Sequence, residues 1–152
     1  MRLQDLLTKK NIMIDLHSQN KIDLLTKMSN SLVTTFDLTD DGSILKNILD
    51  RESIISTGIG FGVAIPHCRY TGIDRFFMVA ARISGIDFAA IDSQPVRLVF
   101  MMISPVNATT EHTQILATLS KLLSVESIRE QLLTIKSAGE FLSVITDGEN
   151  NL

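Results

Sequence analysis

Several features are scarce in this 152-residue chain, and each scarcity excludes a class of protein. Cys68 is the single cysteine, so no intramolecular disulfide can form. The longest strongly apolar run, 98–103, is far too short to span a bilayer. The first residues are amphipathic and interrupted by charge, unlike the apolar centre of a secretory signal. We therefore expect a cytoplasmic protein without direct membrane insertion.

Basic residues are not in excess, because 14 Lys and Arg stand against 17 Asp and Glu for a net charge of −3. This balance argues against a nucleic-acid partner, which attracts a basic patch. Repeats, low-complexity tracts and linkers rich in proline or serine are also missing. Since 45% of the residues are hydrophobic, the chain can fill one core but not two, and we expect a single domain over residues 1–152.

Metal and nucleotide motifs are absent as well. The sequence has no Cys-x-x-Cys or His-x-x-x-His spacing, and its three histidines are far apart. The glycines are not followed by the lysine of a P-loop. Neither a metal site nor a bound cofactor is expected.

The hydrophobic pattern indicates both helices and strands. Apolar residues at helical spacing predict a helix over 21–36, and β-branched and aromatic runs predict buried strands over 75–83 and 96–104. Further helix starts are predicted from capping residues, at Ser43, at Thr109 or Thr110, and from capping-box spacing at 127–130 and 137–140. Helices before, between and after the strands predict an α/β fold, a small mixed β-sheet flanked by helices.

The segment from Ser56 to His67 is the most informative part of the sequence. Glycines at alternate positions (Gly58, Gly60 and Gly62) lead into a short apolar strand over 63–65, which Pro66 ends. A glycine loop rich in free N–H groups can form an anion-binding concavity. His67 follows directly, so the segment predicts an imidazole beside a bound anion and indicates phosphate chemistry.

Three more side chains are candidates for the same site. His112 is expected in the first turn of a helix, where free N–H groups favour an anion, although an exposed histidine without a role is the alternative. Arg51 and Arg69 offer guanidinium groups for phosphate oxygens, although both also fit a solvated surface. Arg69 and His67 are two residues apart, so both point to the same side of an extended chain. His17 lies in a polar stretch and is expected to have no role.

Cys68 is adjacent to His67, so in an extended chain the two side chains point to opposite faces. This geometry opposes a Cys–His dyad. Cys68 is expected to be a small buried residue.

The glycine segment through Pro66-His67 resembles the phosphorylation-site signature of enzyme IIA domains of the fructose/mannitol type. These domains belong to the bacterial phosphoenolpyruvate-dependent phosphotransferase system. The resemblance continues in three further blocks that follow in the same order: 49–52, 86–96 and 111–116. It covers nearly the whole chain.

The resemblance implies the enzyme IIA fold and a phosphohistidine carrier. It implies that His67 accepts a phosphoryl group from an HPr-type carrier through Nε2, with Nδ1 oriented by an acceptor. His112 and Arg51 match further residues of that site, and the glycine loop would add backbone N–H groups. Cys68 departs from the glycine or other small residue often found there, so a thiol beside the acceptor could make the site sensitive to oxidation.

Two functions follow from the resemblance, and a third does not depend on it. In the nitrogen-regulatory branch, phosphorylation would control binding to a target protein; the length and the block 6–14 favour this reading. Alternatively, a sugar-specific IIA component would pass the phosphoryl group to a fructose- or mannitol-type IIB domain. Without the resemblance, the chain would be a small ligand-binding α/β domain with a glycine anion loop.

Overall fold

The computed structural model describes all residues 1–152. Six helices are formed: α1 (Leu3–Leu6), α2 (Lys21–Thr35), α3 (Ser43–Ile54), α4 (Thr109–Leu123), α5 (Glu126–Thr134) and α6 (Ala138–Asn150). Six strands are formed: β1 (Ile12–Met13), β2 (Gly58–Gly60), β3 (Val63–Ala64), β4 (His67–Tyr70), β5 (Phe77–Ile86) and β6 (Val96–Pro105). None of the helices is long and apolar enough to cross a membrane.

The strands form one mixed sheet in the order β1-β5-β6-β3-β2, and β4 also pairs with β6. The two long strands β5 and β6 are antiparallel, whereas β3 and β4 both run parallel to β6. Val63 lies opposite Leu98, and His67 lies opposite Met102 further along the same edge. The segment after the glycines therefore follows β6 in two steps, separated by Pro66.

Helices cover both faces of the sheet, and a separate apolar core fills each side. Leu98, Phe100 and Met102 of β6 join a core with residues of α4, α5 and α6. The alternate residues Val99, Met101 and Ile103 join a second core with α2 and α3. This double burial explains why β6 is an unbroken apolar run in the sequence. The predicted mixed sheet flanked by helices is confirmed.

Helix α2 and the two long strands begin and end within about three residues of their predicted limits. Ser137 caps α6 as predicted, because its hydroxyl accepts a hydrogen bond from the Glu140 N–H at 3.1 Å. The capping prediction at Ser43 is wrong by one residue: Ser43 begins α3, and Gly42 precedes it with φ +96°.

Two other predicted caps are also wrong. Ser127 lies inside α5, whose N-cap is Val125, and Ala108 precedes α4 in place of a capping threonine. Neither of these helices has a side-chain cap at its first turn. Their starts are set by the packing of their apolar faces rather than by a local cap.

Gly58 lies where the β2–β3 hairpin packs against the chain around Ala90. A Cβ added at Gly58 would lie 2.6 Å from the Ala90 Cβ and 2.9 Å from its Cα. No flexible side chain can move aside there, because the obstructing atoms belong to the backbone and its first carbon. Close approach of two chain segments therefore requires glycine at this position.

We predict that Gly58→Ala lowers the free energy of unfolding by about 1–3 kcal/mol, because the added methyl group forces the hairpin away from Ala90. Urea unfolding measures the change. Gly139→Ala is the matched control, because there only the end of the Lys9 side chain must move. Its stability should be unchanged or slightly raised, since alanine favours the helix. Equal stability of both variants would contradict the packing role of Gly58.

Candidate functional site

An open cavity of about 440 Å³ lies where α3, β4 and α4 meet. It is lined by Asn47, Asp50, Arg51, His67, Cys68, Arg69 and His112. The structure therefore brings together His67, His112 and both candidate arginines, which are separated by up to 61 positions in the sequence. The exposed His17 lies outside this cavity.

His67 is placed by the second step of the chain along β6. The pairing of β3 with β6 ends after Ala64, and the ladder resumes in the same register at His67, the first residue of β4. The Pro66 carbonyl just before it accepts from the Met102 N–H at 3.0 Å. Alternation along β4 directs His67 and Arg69 into the cavity, while the Cys68 side chain joins the core beneath. The expected shared side of His67 and Arg69 is what the structure shows.

The ring of His67 is held by a backbone carbonyl. Its Nδ1 lies 2.7 Å from the Ile65 carbonyl oxygen. A carbonyl only accepts, so Nδ1–H donates, and in the neutral ring Nε2 keeps its lone pair. Burial lowers the pKa of His67, opposed by the Ile65 hydrogen bond; Arg51 and Arg69 lower it further. At neutral pH this half-buried ring is an unprotonated nucleophile.

His112 packs edge-on against His67. The ring centroids are 5.3 Å apart at an interplanar angle of 66°. The Nδ1 of His112 lies 2.5 Å from the Ser104 Oγ, on the side away from solvent. Burial, and then the charge of Arg69, lowers the pKa of His112 to about 4. Both rings are therefore neutral at pH 7.

His112 lies in the first turn of α4, as expected, but the alternative of an exposed histidine is wrong. Only 7% of its surface is accessible, so the residue is buried. It is the fourth residue of α4, so its own N–H is already bonded to the Ala108 carbonyl at 3.0 Å and is not free for an anion. Its contribution to the site comes from its imidazole ring.

The two guanidinium groups of the cavity are held differently. Arg51 lies in the last turn of α3, and its Nη1 donates to the Ile55 carbonyl at 2.9 Å. The Nη1 of Arg69 is buried and has no hydrogen-bond partner. A buried donor without a partner is costly unless an acceptor binds there. Arg69 also lines the cavity, so a second positive charge lies beside the two rings.

The glycine loop does not belong to this cavity. Gly58, Gly60 and Gly62 are absent from its lining, and two N–H groups of the segment are already bonded. The Gly58 N–H donates to Ser56 Oγ at 3.1 Å, and the Phe61 N–H donates to Asp92 Oδ2 at 2.9 Å. The prediction of a phosphate-binding loop is therefore wrong. The glycines instead allow close packing and, at 60 and 62, positive φ.

Cys68 is buried, as expected, with only 6% of its surface accessible. Burial raises the pKa of its thiol to about 12, so the reactive thiolate is strongly disfavoured at neutral pH. This environment works against the oxidation sensitivity expected from a thiol beside His67.

Sequence reasoning missed Asn47, Asp50 and Ser104. Asn47 is one helical turn before Arg51, so helix periodicity could have placed it on the same face. Its Nδ2 donates to the Arg69 carbonyl at 3.3 Å and ties α3 to β4. No sequence signal identifies Ser104, because its place beneath His112 depends on how α4 folds back over β6.

The arrangement is suited to a small anion. Two neutral rings and two guanidinium groups surround an open space, and the Asp50 carboxylate at its edge is paired with Lys46 at 2.6 Å. Guanidinium groups and ring N–H groups are donors for phosphoryl oxygens. An unprotonated Nε2 in the same space is a nucleophile. The geometry therefore fits covalent capture of a phosphoryl group better than binding of a metal cation.

Comparison with known proteins gives a consistent family. Residues 5–148 match the family model described as phosphoenolpyruvate-dependent sugar phosphotransferase system, EIIA 2. A fructose-specific EIIABC component from Bacillus subtilis is 36% identical over 95% of this chain, which spans 23% of that protein's length. A nitrogen regulatory protein from Pseudomonas aeruginosa is 29% identical over 99% of this chain and 98% of its own length.

Solved structures show the same fold. The nitrogen regulatory protein IIA-Ntr from Neisseria meningitidis has a TM-score of 0.89 and 33% identity, covering 94% of this chain and 98% of its own. The mannitol enzyme IIA from Escherichia coli, solved in complex with phosphorylated enzyme IIB, has a TM-score of 0.79 and 22% identity, covering 93% of this chain and 97% of its own. The likeness to the mannitol enzyme IIA concerns the fold alone.

We predict that His112 stays neutral as the pH falls, until a pH near 4. Arg69→Gln removes a positive charge beside both rings and should raise the pKa of each histidine. Imidazole NMR resonances followed across a pH series measure both values. Arg97→Gln, at an exposed arginine outside the cavity, is the control and should leave them unchanged.

The lowered pKa of His112 makes the stability of the fold depend on pH. The unfolded chain binds the His112 proton at the ordinary value of 6.5, whereas the folded chain binds it only near 4. The free energy of unfolding should therefore fall as the pH drops between these values, and Arg69→Gln should reduce the loss. Titration of His112 near 6.5 would contradict the described environment.

Proposed function

Because the chain belongs to the EIIA type 2 family of the phosphoenolpyruvate-dependent sugar phosphotransferase system, we propose that it is a phosphohistidine carrier. In this proposal residues 1–152 act as one domain, and Nε2 of His67 accepts a phosphoryl group from the phosphohistidine of an HPr-type carrier protein. The observation that supports it most directly is the hydrogen bond from Nδ1 to the Ile65 carbonyl. It leaves a lone pair on Nε2 in the cavity.

The transfer exchanges one N–P bond for another. The lone pair of His67 Nε2 forms a bond to phosphorus as the donor's N–P bond breaks, and that electron pair returns to the donor's imidazole nitrogen. His67 then carries a phosphoryl group on Nε2 and keeps its proton on Nδ1. The phosphohistidine donor is already activated, so the step needs only the side chains of the two proteins.

Charge in the transition state lies on the phosphoryl oxygens. Arg51 and His112 support transfer in this proposal, as the family resemblance implies, and Arg69 adds a second guanidinium group whose Nη1 has no other partner. Preorganised donors of this kind stabilise developing charge without reorganising. Gly58, Gly60 and Gly62 have no direct part, because they do not line the cavity.

The nitrogen-regulatory branch is the favoured setting. The Pseudomonas nitrogen regulatory protein matches along 98% of its length, and the Neisseria IIA-Ntr structure has the TM-score of 0.89. In this setting the phosphorylation state of His67 controls binding to a target protein. A sugar-specific role remains the second candidate, because the Bacillus relative is a fructose-specific component with 36% identity.

We predict that incubation with phosphoenolpyruvate, enzyme I and an HPr-type carrier places one acid-labile phosphoryl group on His67. Mass spectrometry under non-acidic conditions locates it. His67→Ala should remove acceptance completely, because no other nucleophile replaces Nε2. His17→Ala is the control, since His17 lies outside the cavity, and it should accept at the wild-type rate.

Arg51→Ala should slow acceptance on the order of 10²-fold without abolishing it, because one donor to the phosphoryl oxygens is lost while the nucleophile remains. The His112→Ala variant should behave in the same way. Labelling of the His67→Ala protein at the wild-type level would refute the acceptor assignment. Unchanged rates in the other two variants would refute only their supporting roles.

We further predict that the phosphorylated protein transfers little phosphoryl group to purified fructose- and mannitol-type IIB domains. Quench-flow measurement of the two proteins together decides this point. In the regulatory setting, a target protein should instead bind the phosphorylated form and the unphosphorylated form with different affinities. Rapid and complete transfer to either IIB domain would favour the sugar-specific role.

A further inference from the structure

Ser104 lies in β6 directly beneath His112 and is fully buried. Its Oγ has one hydrogen-bond partner in the structure, the Nδ1 of His112 at 2.5 Å. In the sheet, Ser104 is the register partner of Arg69, but it is fully buried and does not line the cavity, so the hydroxyl lies beneath the cavity rather than in it. A buried hydroxyl has few options, because its single hydrogen must be donated to an acceptor.

Two hydrogen placements are compatible with this contact. If His112 carried its proton on Nδ1, that N–H would donate to Ser104, and the serine hydrogen would be buried without an acceptor. If the serine hydroxyl donates to an unprotonated Nδ1, both groups are satisfied. Buried polar hydrogens are almost always paired, so the second placement is favoured. The proton of the neutral ring then lies on Nε2.

We propose that Ser104 is a positioning residue that holds His112 as the Nε2–H tautomer, so that this ring donates a hydrogen bond to the phosphoryl group and cannot itself accept it. The proposal rests on the proposed function of His67. Neither the family resemblance nor the relatives' names assign any role to this serine. The two rings are thus fixed as opposite tautomers by two different neighbours.

The opposite tautomers give different chemical roles to two otherwise similar rings. The Ile65 carbonyl accepts from Nδ1 of His67 and leaves a lone pair on Nε2, whereas the Ser104 hydroxyl donates to Nδ1 of His112 and leaves a hydrogen there. A lone pair on His112 would repel the phosphoryl oxygens and would compete with His67 for phosphorus. A hydrogen at the same place attracts the oxygens and removes the competing nucleophile.

The first test measures the tautomer in the unphosphorylated protein. Ring ¹⁵N shifts and two-bond N–H couplings at neutral pH should show His112 with a protonated Nε2 and an unprotonated Nδ1. Ser104→Ala should convert this single tautomer into a mixture, while His67 keeps its proton on Nδ1. A protonated Nδ1 in the wild type, or no change in the variant, would overturn the proposal.

Two further variants separate positioning from folding. Ser29→Ala removes another buried serine hydroxyl, one that contacts the sulfur of Met101 on the opposite face of the sheet, and it should leave both rings unchanged. Ser104→Thr keeps a hydroxyl and should restore the Nε2–H tautomer. Because these spectra need no phosphoryl donor, failure of the tautomer prediction is distinguishable from failure of phosphoryl acceptance.

The functional readout is the rate and the site of labelling by an HPr-type carrier. Ser104→Ala should slow acceptance on His67 by about 10-fold, because the donor from His112 is present only part of the time. A minor phosphoryl group should also be found on His112. Acceptance at the wild-type rate and on His67 alone would overturn the catalytic part of the proposal.

Discussion

The parallel ladder between β4 and β6 is the constraint on which the site depends. It places His67 opposite Met102 and Arg69 opposite Ser104, so the nucleophile and one guanidinium group share a rigid strand buried beneath by the core. The same strand β6 continues through Pro105 into α4, which carries His112 back over Ser104. One strand pairing therefore sets both imidazole rings, and no mobile loop is needed to bring them together.

The third element of the site, α3, is fixed by a partly buried ion pair. Lys21 at the start of α2 lies 2.8 Å from the Glu52 carboxylate, which also accepts from the Thr57 N–H at 2.8 Å and from its hydroxyl at 2.6 Å. Lys21 in turn donates to the Phe88 carbonyl at 3.0 Å. An ion pair that is partly buried and further hydrogen-bonded fixes geometry more than it adds stability. Arg51, the neighbour of Glu52, is held at the cavity by this network.

Features encoded locally could be predicted from the sequence, whereas those that depend on distant segments could not. The apolar runs of β5 and β6 and the period of α2 give their limits to within a few residues, and strand alternation places His67 and Arg69 together. The prediction of an anion-binding glycine loop failed because the N–H groups of Gly58 and Phe61 bond to Ser56 and Asp92. Asp92 is remote from the loop in the sequence. The contact of Ser104 with His112 could not be predicted, because only the register of β4 on β6 and the return of α4 place this serine under a histidine.

The unpartnered guanidinium of Arg69 bears on how the proposed modification would be recognised by another protein. Before transfer, an approaching surface meets the cations Arg51 and Arg69 beside two neutral rings. A phosphoryl group brings a charge of about −1.5 to −2 to the same place, which cancels most of that positive potential. Little movement of the backbone is required for this change. The two states would differ chiefly in the strength of the positive field at one small opening, so a partner with an acidic rim could distinguish them through electrostatics alone.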